Sequence, residues 1–477
     1  MGKEFIYIIP EILILTTATI VLSLDIFLPR ERKSLLAYVS IAGLWLAAFL
    51  SAGLIGERVS ILADMFVIDS FGIILKIVIL IAASMAALLA IEFLKESNKY
   101  GEYYFLLLSS VLGMMIVTGS SNLIAVFLGI QLTSVPLYIM AGFARTDVKS
   151  NEAALKYFLL GVLTAAVTLY GMSLIYGMTG TLNLAEIATK LEHTNLNDPV
   201  LFIGMTFVVS GFTFKIAAVP FHFWAPDTYE GAPTPVTAFI AAVPKMAGFA
   251  ALVRLVFTAF PEFTGQWVGL FGLAATMTMI TGNILAIPQK NIKRMLAFSG
   301  IAHVGYALIA LVVSNQHALS GLVFYMIAYA AMNLGAFAIV IAVGRVSPEN
   351  QIEDFAGLGS RSPLLAGAMT ILMLSMLGFP LTAGFMAKFL VFASAVEKGY
   401  VWLAVIGVAN SVISLYYYIG VVRQMYMVPP KTEKPVPIPV TIGAVVLTSV
   451  VVTMVIGIFP EYFIQLARLV FLVNASF

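Results

Sequence analysis

Apolar runs of 18 or more residues follow one another along the whole chain, and this constrains its fold more than any other feature. Such a run is long enough to cross the roughly 30 Å hydrocarbon core of a bilayer as a helix. Lipid offers no partner to an exposed peptide group, so segments of this kind must satisfy their own backbone as helices. The spans read as about fourteen, at 5–28, 34–54, 69–94, 102–119, 122–142, 152–179, 199–224, 233–258, 266–288, 292–313, 316–344, 362–391, 400–426 and 438–459. With 61% hydrophobic and 10% charged residues, little is left from which to build a soluble domain. The predicted fold is all-α and polytopic.

Several function classes drop out at this stage. The chain has no cysteine, which removes disulfides, thiolate metal sites and sulfur-ligated clusters. Its basic residues are scattered among loops and form no patch for nucleic acid. No glycine-rich dinucleotide fingerprint follows a strand. The first apolar run carries Glu11 and lacks a basic leader and a small-residue cleavage site, so it reads as a retained span. Loops after odd-numbered spans hold about fifteen Lys and Arg, among them Arg30, Lys95, Arg145, Lys290, Arg361 and Lys431, against about three on the other side. The odd loops are therefore expected in the cytoplasm and both termini outside. The stretch 183–198 reads as an amphipathic connection on the outer surface, and the proline- and lysine-rich 429–439 as a cytoplasmic linker.

Charge inside the spans is scarce and costly, at least about 2.5 to 3.5 kcal/mol for one lysine at bilayer depth. In VVSGFTFKIAAVPFHFWAP, Lys215 interrupts an apolar run and Pro220 follows five residues later. Proline cannot donate the intrahelical hydrogen bond, so the helix is expected to break where the lysine needs partners. A second segment of the same kind, MLGFPLTAGFMAKFLVF, carries Pro380, Gly384 and Lys388 about 165 residues later. Paired interrupted spans are a pointer to transporters built from two halves. They suggest two inverted five-helix repeats, 102–258 and 259–426, after three helices in 1–101 and before a linker and last span in 427–477.

The other cations within or near spans are Lys76, Lys156, Lys245 and Arg254. For Lys76, Arg254 and Lys156, snorkelling of the head to an interface competes with a functional role. Lys215, Lys245 and Lys388 lie deeper and fit proton carriers, because a desolvated ammonium gives up its proton more readily than a hydrated one. His222 and His303 are possible relays, since imidazole titrates near neutrality, although each also fits a satisfied core group. Asp227 and Glu230 flank the end of the first break, where they either gate it or cap a turn. Gln131, Asn283, Asn333 and Asn410, with Tyr325 and Tyr329, read equally as interhelical glue or as a polar file.

The runs LGIQLTSVPLYIMAGF, EAALKYFLLG, FKIAAVPFHFWAPDTYEGAPTPVTAFIAAVPKMAGF, NIKRMLAFSGIAHVGYALI, YAAMNLGAF and GFPLTAGFMAKF occur in this order. Together they resemble the subunit N family of proton-pumping NADH:quinone oxidoreductase, respiratory complex I, over nearly the whole chain. The resemblance implies an antiporter-like subunit with a central axis of lysines, in which the proton-carrying lysines fall on Lys215, Lys245 and Lys388 and the helix-six lysine, a possible relay, on Lys156. It further implies no cofactor bound by this chain, with NADH, FMN, iron-sulfur clusters and quinone handled by other subunits. The implied partners are neighbouring membrane subunits of the K and M types and a peripheral redox arm. The implied location is a bacterial or archaeal plasma membrane. One position departs from the family pattern: a glutamate usual in the fifth helix is here Gln131. Lys215 then lacks its usual counter-charge, and its proton is controlled either by its own surroundings or by a carboxylate from a neighbouring subunit. The rival readings are an Mrp-like cation/proton antiporter subunit, a subunit of a related ferredoxin- or deazaflavin-dependent complex, and a scaffold subunit that has lost pumping.

Overall fold

The structure, a computed structural model, describes residues 4–192, 198–430 and 433–469. Lys431 of the expected linker, part of the 183–198 connection and the end of the last segment lie outside the described residues. The chain is an all-α polytopic membrane protein, apart from a small antiparallel hairpin of Val59–Ile61 with Phe66–Ile68. Among the described residues, thirteen helices are long and apolar enough to cross a membrane. The difference from fourteen has a physical cause. The span read at 362–391 is two helices of 15 residues each, neither of which spans alone.

In order, the helices used below are α1 Ile9–Phe27, α2 Leu35–Ala52, α3 Ser70–Ser97, α4 Tyr100–Gly119, α5 Leu123–Ala141 and α6 Val148–Thr179. Then come α7 Pro199–Ile216, α8 Trp224–Gly231, α9 Thr234–Ala242, α10 Pro244–Arg254, α11 Thr264–Ala286 and α12 Ile292–Val313. The last are α13 Gln316–Gly344, α14 Pro363–Leu377, α15 Ala383–Glu397, α16 Val401–Met427 and α17 Val440–Ile458. Short polar residues start many of them. Asp69, Asn122, Asp147, Asp198, Asn291 and Asn315 each accept a backbone N–H of the first turn, satisfying donors that the helix leaves free. The connection after α6 is more regular than its weak periodicity suggests: Leu184–Leu191 is a helix that buries Leu184, Ile187 and Leu191 on one face.

Burial separates centre from rim. The most apolar windows of the 234–259 stretch and of α12 are wholly buried within the chain, whereas only 28% of that of α6 is covered. The central helices thus contact protein on all sides, and α6 and α16 present apolar faces outward, with Leu163, Tyr170, Val412 and Tyr416 among the exposed residues.

Two interruptions shape the interior. α7 stops at Ile216, where Ala217 takes a left-handed conformation with φ of 60°, and irregular chain runs to Trp224. The span expected to reach residue 224 is therefore cut short. The freed backbone groups find partners: the Trp224 indole donates to Phe214 O at 2.9 Å, and Val219 N donates to Thr278 Oγ1 at 3.0 Å. α14 ends at Leu377, followed by left-handed Gly378 and Leu381. A third, milder interruption was not anticipated. Pro244 divides the stretch read as one span at 233–258 into α9 and α10 and places Lys245 in the first turn of α10.

Candidate functional site

Lys215 sits in the last turn of α7, half-buried at the first break. Its ammonium donates to the Tyr138 hydroxyl at 3.0 Å and lies 5.2 and 5.5 Å from the ring centroids of Phe214 and Tyr138. Aromatic faces attract a cation electrostatically and stabilise one that has left water. Among the described residues no carboxylate lies within ion-pair distance of it. Gln131 lines the same crevice as Lys215, together with Thr164, Thr168 and Gly211. Tyr138, two turns beyond Gln131 on α5, is the partner the sequence reading missed. Its ring meets Tyr157 edge-on at 4.6 Å, and Tyr157 stacks on Trp224 at 4.3 Å with 7° between planes. Gly161 leaves the room for this phenol, since a methyl group there would overlap the hydroxyl.

The mouth of this break carries a cluster of ions. Asp227 on α8 accepts from Lys156 at 2.8 Å and from Arg294 at 2.6 Å, and Arg294 also reaches Glu230 at 3.1 Å. Lys156 pairs in addition with Glu152 one turn back. Burial pushes the Asp227 carboxyl up, but the hydrogen bonds from Lys156 and Arg294 outweigh it and hold the group below the usual carboxylate range. Lys293, at the very edge of the span read at 292–313 and counted with the loop cations, is buried and donates to Glu230 O at 2.8 Å and Ala232 O at 2.6 Å. It thereby ties down the last carbonyls of α8. Nothing in NIKR distinguishes this lysine from its neighbours. Only the approach of α12 to α8 does.

Lys245 is buried and donates to the Tyr329 hydroxyl at 2.8 Å and to Gly300 O at 3.1 Å. Gly300 is the wall of this site, where an added Cβ would lie 2.8 Å from the ammonium. The Tyr329 ring lies 5.5 Å from that of His303. His303 Nδ1 bonds the Tyr325 hydroxyl at 2.6 Å and Nε2 the Tyr418 hydroxyl at 3.2 Å. Tyr418 also bonds Ser299 at 2.5 Å, and its chain neighbour Tyr417 donates to Asn283 Oδ1 at 2.9 Å. Asn283 donates in turn to Tyr306 at 3.1 Å and to Asn410 Oδ1 at 3.3 Å. Lys388 closes the file. Its ammonium lies 4.5 Å from the Tyr306 ring centroid and donates to Ser411 Oγ at 3.1 Å and to Leu377 O at 2.9 Å. Leu377 O belongs to the C-terminal end of α14, where free carbonyls and the helix dipole favour a cation.

The structure therefore places Lys245, His303 and Lys388 along one buried row of polar groups, in which Tyr329 and His303 meet only ring to ring and Tyr417 reaches Tyr306 through the Asn283 amide, and it leaves His222 apart. The His222 ring is buried at the first break, and its Nδ1 has no partner among the described residues. Asn283 and Asn410 belong to the row, whereas the Asn333 amide N–H donates within its own helix, to Tyr329 O. Lys76 and Arg254 correct the snorkelling alternative. Lys76 is buried against Glu11 at 2.5 Å. Arg254 grips Asp69 with two hydrogen bonds of 2.9 and 3.0 Å and donates from Nε to Thr118 O at 2.8 Å. Burying a charge is tolerable only with such compensation. Both pairs tie the first three helices to one another or to the rest of the chain, and the acids were legible as residues but not as partners.

A helical bundle with two broken helices and a buried file of lysines, hydroxyls and imidazole defines an ion-translocating class of membrane protein. Residues 120–414 match the family described as NADH:quinone oxidoreductase/Mrp antiporter, TM. NADH-quinone oxidoreductase subunit N of Trichlorobacter lovleyi is 44% identical over 467 residues, covering 97% of this chain and 96% of its own. F(420)H(2) dehydrogenase subunit N of Methanosarcina mazei is 37% identical, covering 98% of each. A chain of respiratory complex I from Thermus thermophilus superimposes with a TM-score of 0.82 at 31% identity, over 96% of this chain and 100% of its own. A chain of the Mrp complex from a Dietzia species shares the fold, with a TM-score of 0.86 at 19% identity over 98% and 97%. The chain belongs to the antiporter-like membrane-subunit family of NADH:quinone oxidoreductases, in its subunit N branch.

Proposed function

We propose that the chain is a proton-translocating membrane subunit of an NADH:quinone oxidoreductase, in which partner subunits carry NADH, FMN, iron-sulfur clusters and quinone and this chain moves protons. The file from Lys245 through Tyr329, His303 and the Tyr418–Tyr417 pair to Lys388 carries this reading. Hydroxyls and imidazole both donate and accept, so a proton passes along their hydrogen-bonded stretches by reorientation; between Tyr329 and His303, where only the rings meet, and across the Asn283 amide, it needs a water or a side-chain movement. Lys215, Lys245 and Lys388 are the carriers, His303 a relay between the last two, and Lys156 part of the charged mouth. His222 lies beside the first break and enters only through water or a side-chain movement. Neighbouring membrane subunits of the K and M types, a peripheral redox arm, a bacterial or archaeal plasma membrane with both termini outside, and two inverted five-helix repeats complete the reading.

The test is Lys215→Ala in the assembled complex, with proton uptake measured beside electron transfer. Pumping per electron pair is expected to fall while the complex still assembles, and undiminished pumping sinks the assignment. The deazaflavin-linked relative supports a second reading of the donor, because its subunit N aligns end to end with this chain. Purifying the complex and identifying its soluble subunits decides between the two donors.

A further inference from the structure

We propose that Trp224 and Tyr157 are positioning residues that couple an ion-paired latch on α8, centred on Asp227, to the ammonium of Lys215. The proposal rests on the reading of Lys215 as a proton carrier. It answers how that carrier is controlled where a carboxylate beside it is replaced by Gln131.

Two elements each bear one charged and one aromatic member of the assembly. On α6, Lys156 and Tyr157 are consecutive; on α8, Trp224 and Asp227 are one turn apart. The charged members meet at the mouth through the 2.8 Å bond between Lys156 and Asp227, reinforced by Arg294 from α12. The aromatic members meet beneath them in the 4.3 Å stack of Tyr157 on Trp224. From there two contacts lead to Lys215. The Trp224 indole holds Phe214 O, the carbonyl of the residue before Lys215, and Tyr157 sets the Tyr138 ring whose hydroxyl holds the ammonium.

α8 itself has only eight residues and lies between the irregular stretch 217–223 and the Ala232 and Pro233 turn. Few backbone bonds restrain so short an element, so its position depends on its side-chain ties. If the Asp227 bonds open, the remaining polar ties of α8 gather at its far end, where Lys293 holds Glu230 O and Ala232 O, Thr237 donates to Tyr229 O and Arg294 reaches Glu230, so the end that bears Trp224 is the one released. Both supports of Lys215 then shift together. The acid that governs Lys215 is therefore about a helix away from it and acts through packed rings, which transmit displacement because interiors are close-packed. The groups facing Asp227 are Lys149, Glu152 and Lys156 from α6, Glu230 on its own helix, and Arg294 from α12.

The experiment uses the whole complex in vesicles, with protons pumped per electron pair measured against pH for Asp227→Asn, Trp224→Phe and the double variant. Trp224→Phe keeps an aromatic face on Tyr157 and removes the N–H that holds Phe214 O. Each single variant is expected to lower the ratio by about two- to tenfold, the size of one net hydrogen bond, and to displace the pH profile in the same sense. The double variant should lose no more than the worse single one, since the two residues act on one element, and Asp227→Glu should restore the profile. Tyr157→Leu, which removes the stacking face, should reproduce the effect if Trp224→Phe does not assemble. Losses that multiply in the double variant, or an unmoved pH profile, overturn the latch. Lys215→Ala measured alongside separates the two failures. If that variant pumps normally, the carrier reading falls and the latch with it. If it stops pumping while the Asp227 and Trp224 variants match the native complex, the latch alone falls.

Discussion

The two broken helices solve the same problem in different ways. At the second break, the Lys388 ammonium is buried, donates to a carbonyl and a hydroxyl, faces the Tyr306 ring and joins a row of polar groups that leads through Asn283 toward Tyr417, Tyr418 and His303. At the first break, Lys215 is half-buried and among the described residues has one hydrogen bond, to a phenol, beside a crevice that also holds Gln131. A cation with several fixed partners is held by its site, whereas one with a single partner depends on whatever positions that partner. The difference places control of the second lysine inside the file and control of the first in the aromatic stack and the ionic mouth.

That contrast can be broken most directly at Lys388. Lys388→Ala leaves Leu377 O without its donor and removes the end of the file. Proton pumping of the reconstituted complex should fall by more than about tenfold, and the thermal stability of the purified complex should drop by about 1 to 3 kcal/mol. A loss of stability without a loss of pumping would make the second lysine structural. The next comparison pairs Tyr138→Phe with Ser411→Ala. Removing the phenol hydroxyl takes away the one hydrogen bond of Lys215 among the described residues, about 1.5 to 3 kcal/mol for a charged donor, whereas Lys388 without Ser411 keeps Leu377 O. Pumping should suffer several times more from Tyr138→Phe than from Ser411→Ala, and equal losses would erase the asymmetry.

Gln131→Glu probes the missing acid. A carboxylate in the Lys215 crevice gives the first break a local counter-charge, so the pH dependence of pumping should move while assembly is retained. Abolished pumping with an unmoved pH dependence would show that the amide serves some other purpose. The smallest effect concerns Asp227 and stability. Its carboxyl is held below the usual range, so its contribution is complete at neutral pH and disappears as pH falls through that lowered value. With the side chain 32% exposed, solvent screens the pair and the gain is modest. The melting temperatures of the native complex and of Asp227→Asn should differ slightly at neutral pH, begin to converge as the pH falls below about 4 and meet only below the lowered value.

Much of this was legible before any coordinates. Span length, the two breaks and the three deep lysines follow from apolar runs, proline and the cost of charge in lipid, all of which act along the chain, whereas the odd amide at Gln131 stands out only against the pattern of the subunit N family. Pro220 and Pro380 announced the breaks, although not where each helix stops, because that depends on partners such as Thr278 and Trp224 for the freed backbone. The site was legible as residues and not as pairs. Lys76 and Arg254 looked like candidates for the interface because their acids, Glu11 and Asp69, are 65 and 185 residues away in the sequence. Lys293 looked like any loop lysine, and Tyr138 like any aromatic residue of a span.

What the sequence determined by itself is the class of structure and the positions where charge had to be accommodated, since hydrophobic length and backbone satisfaction are local requirements that each segment meets alone. What only the tertiary structure decided is who accommodates each charge. Hydrogen bonds and ion pairs act over about 3 Å, and the approach of one helix to another at that distance is settled by the packing of the whole bundle. Thus Lys388 entered a file of hydroxyls, Arg254 and Lys76 became ion-paired ties, and Lys215 was left to Tyr138.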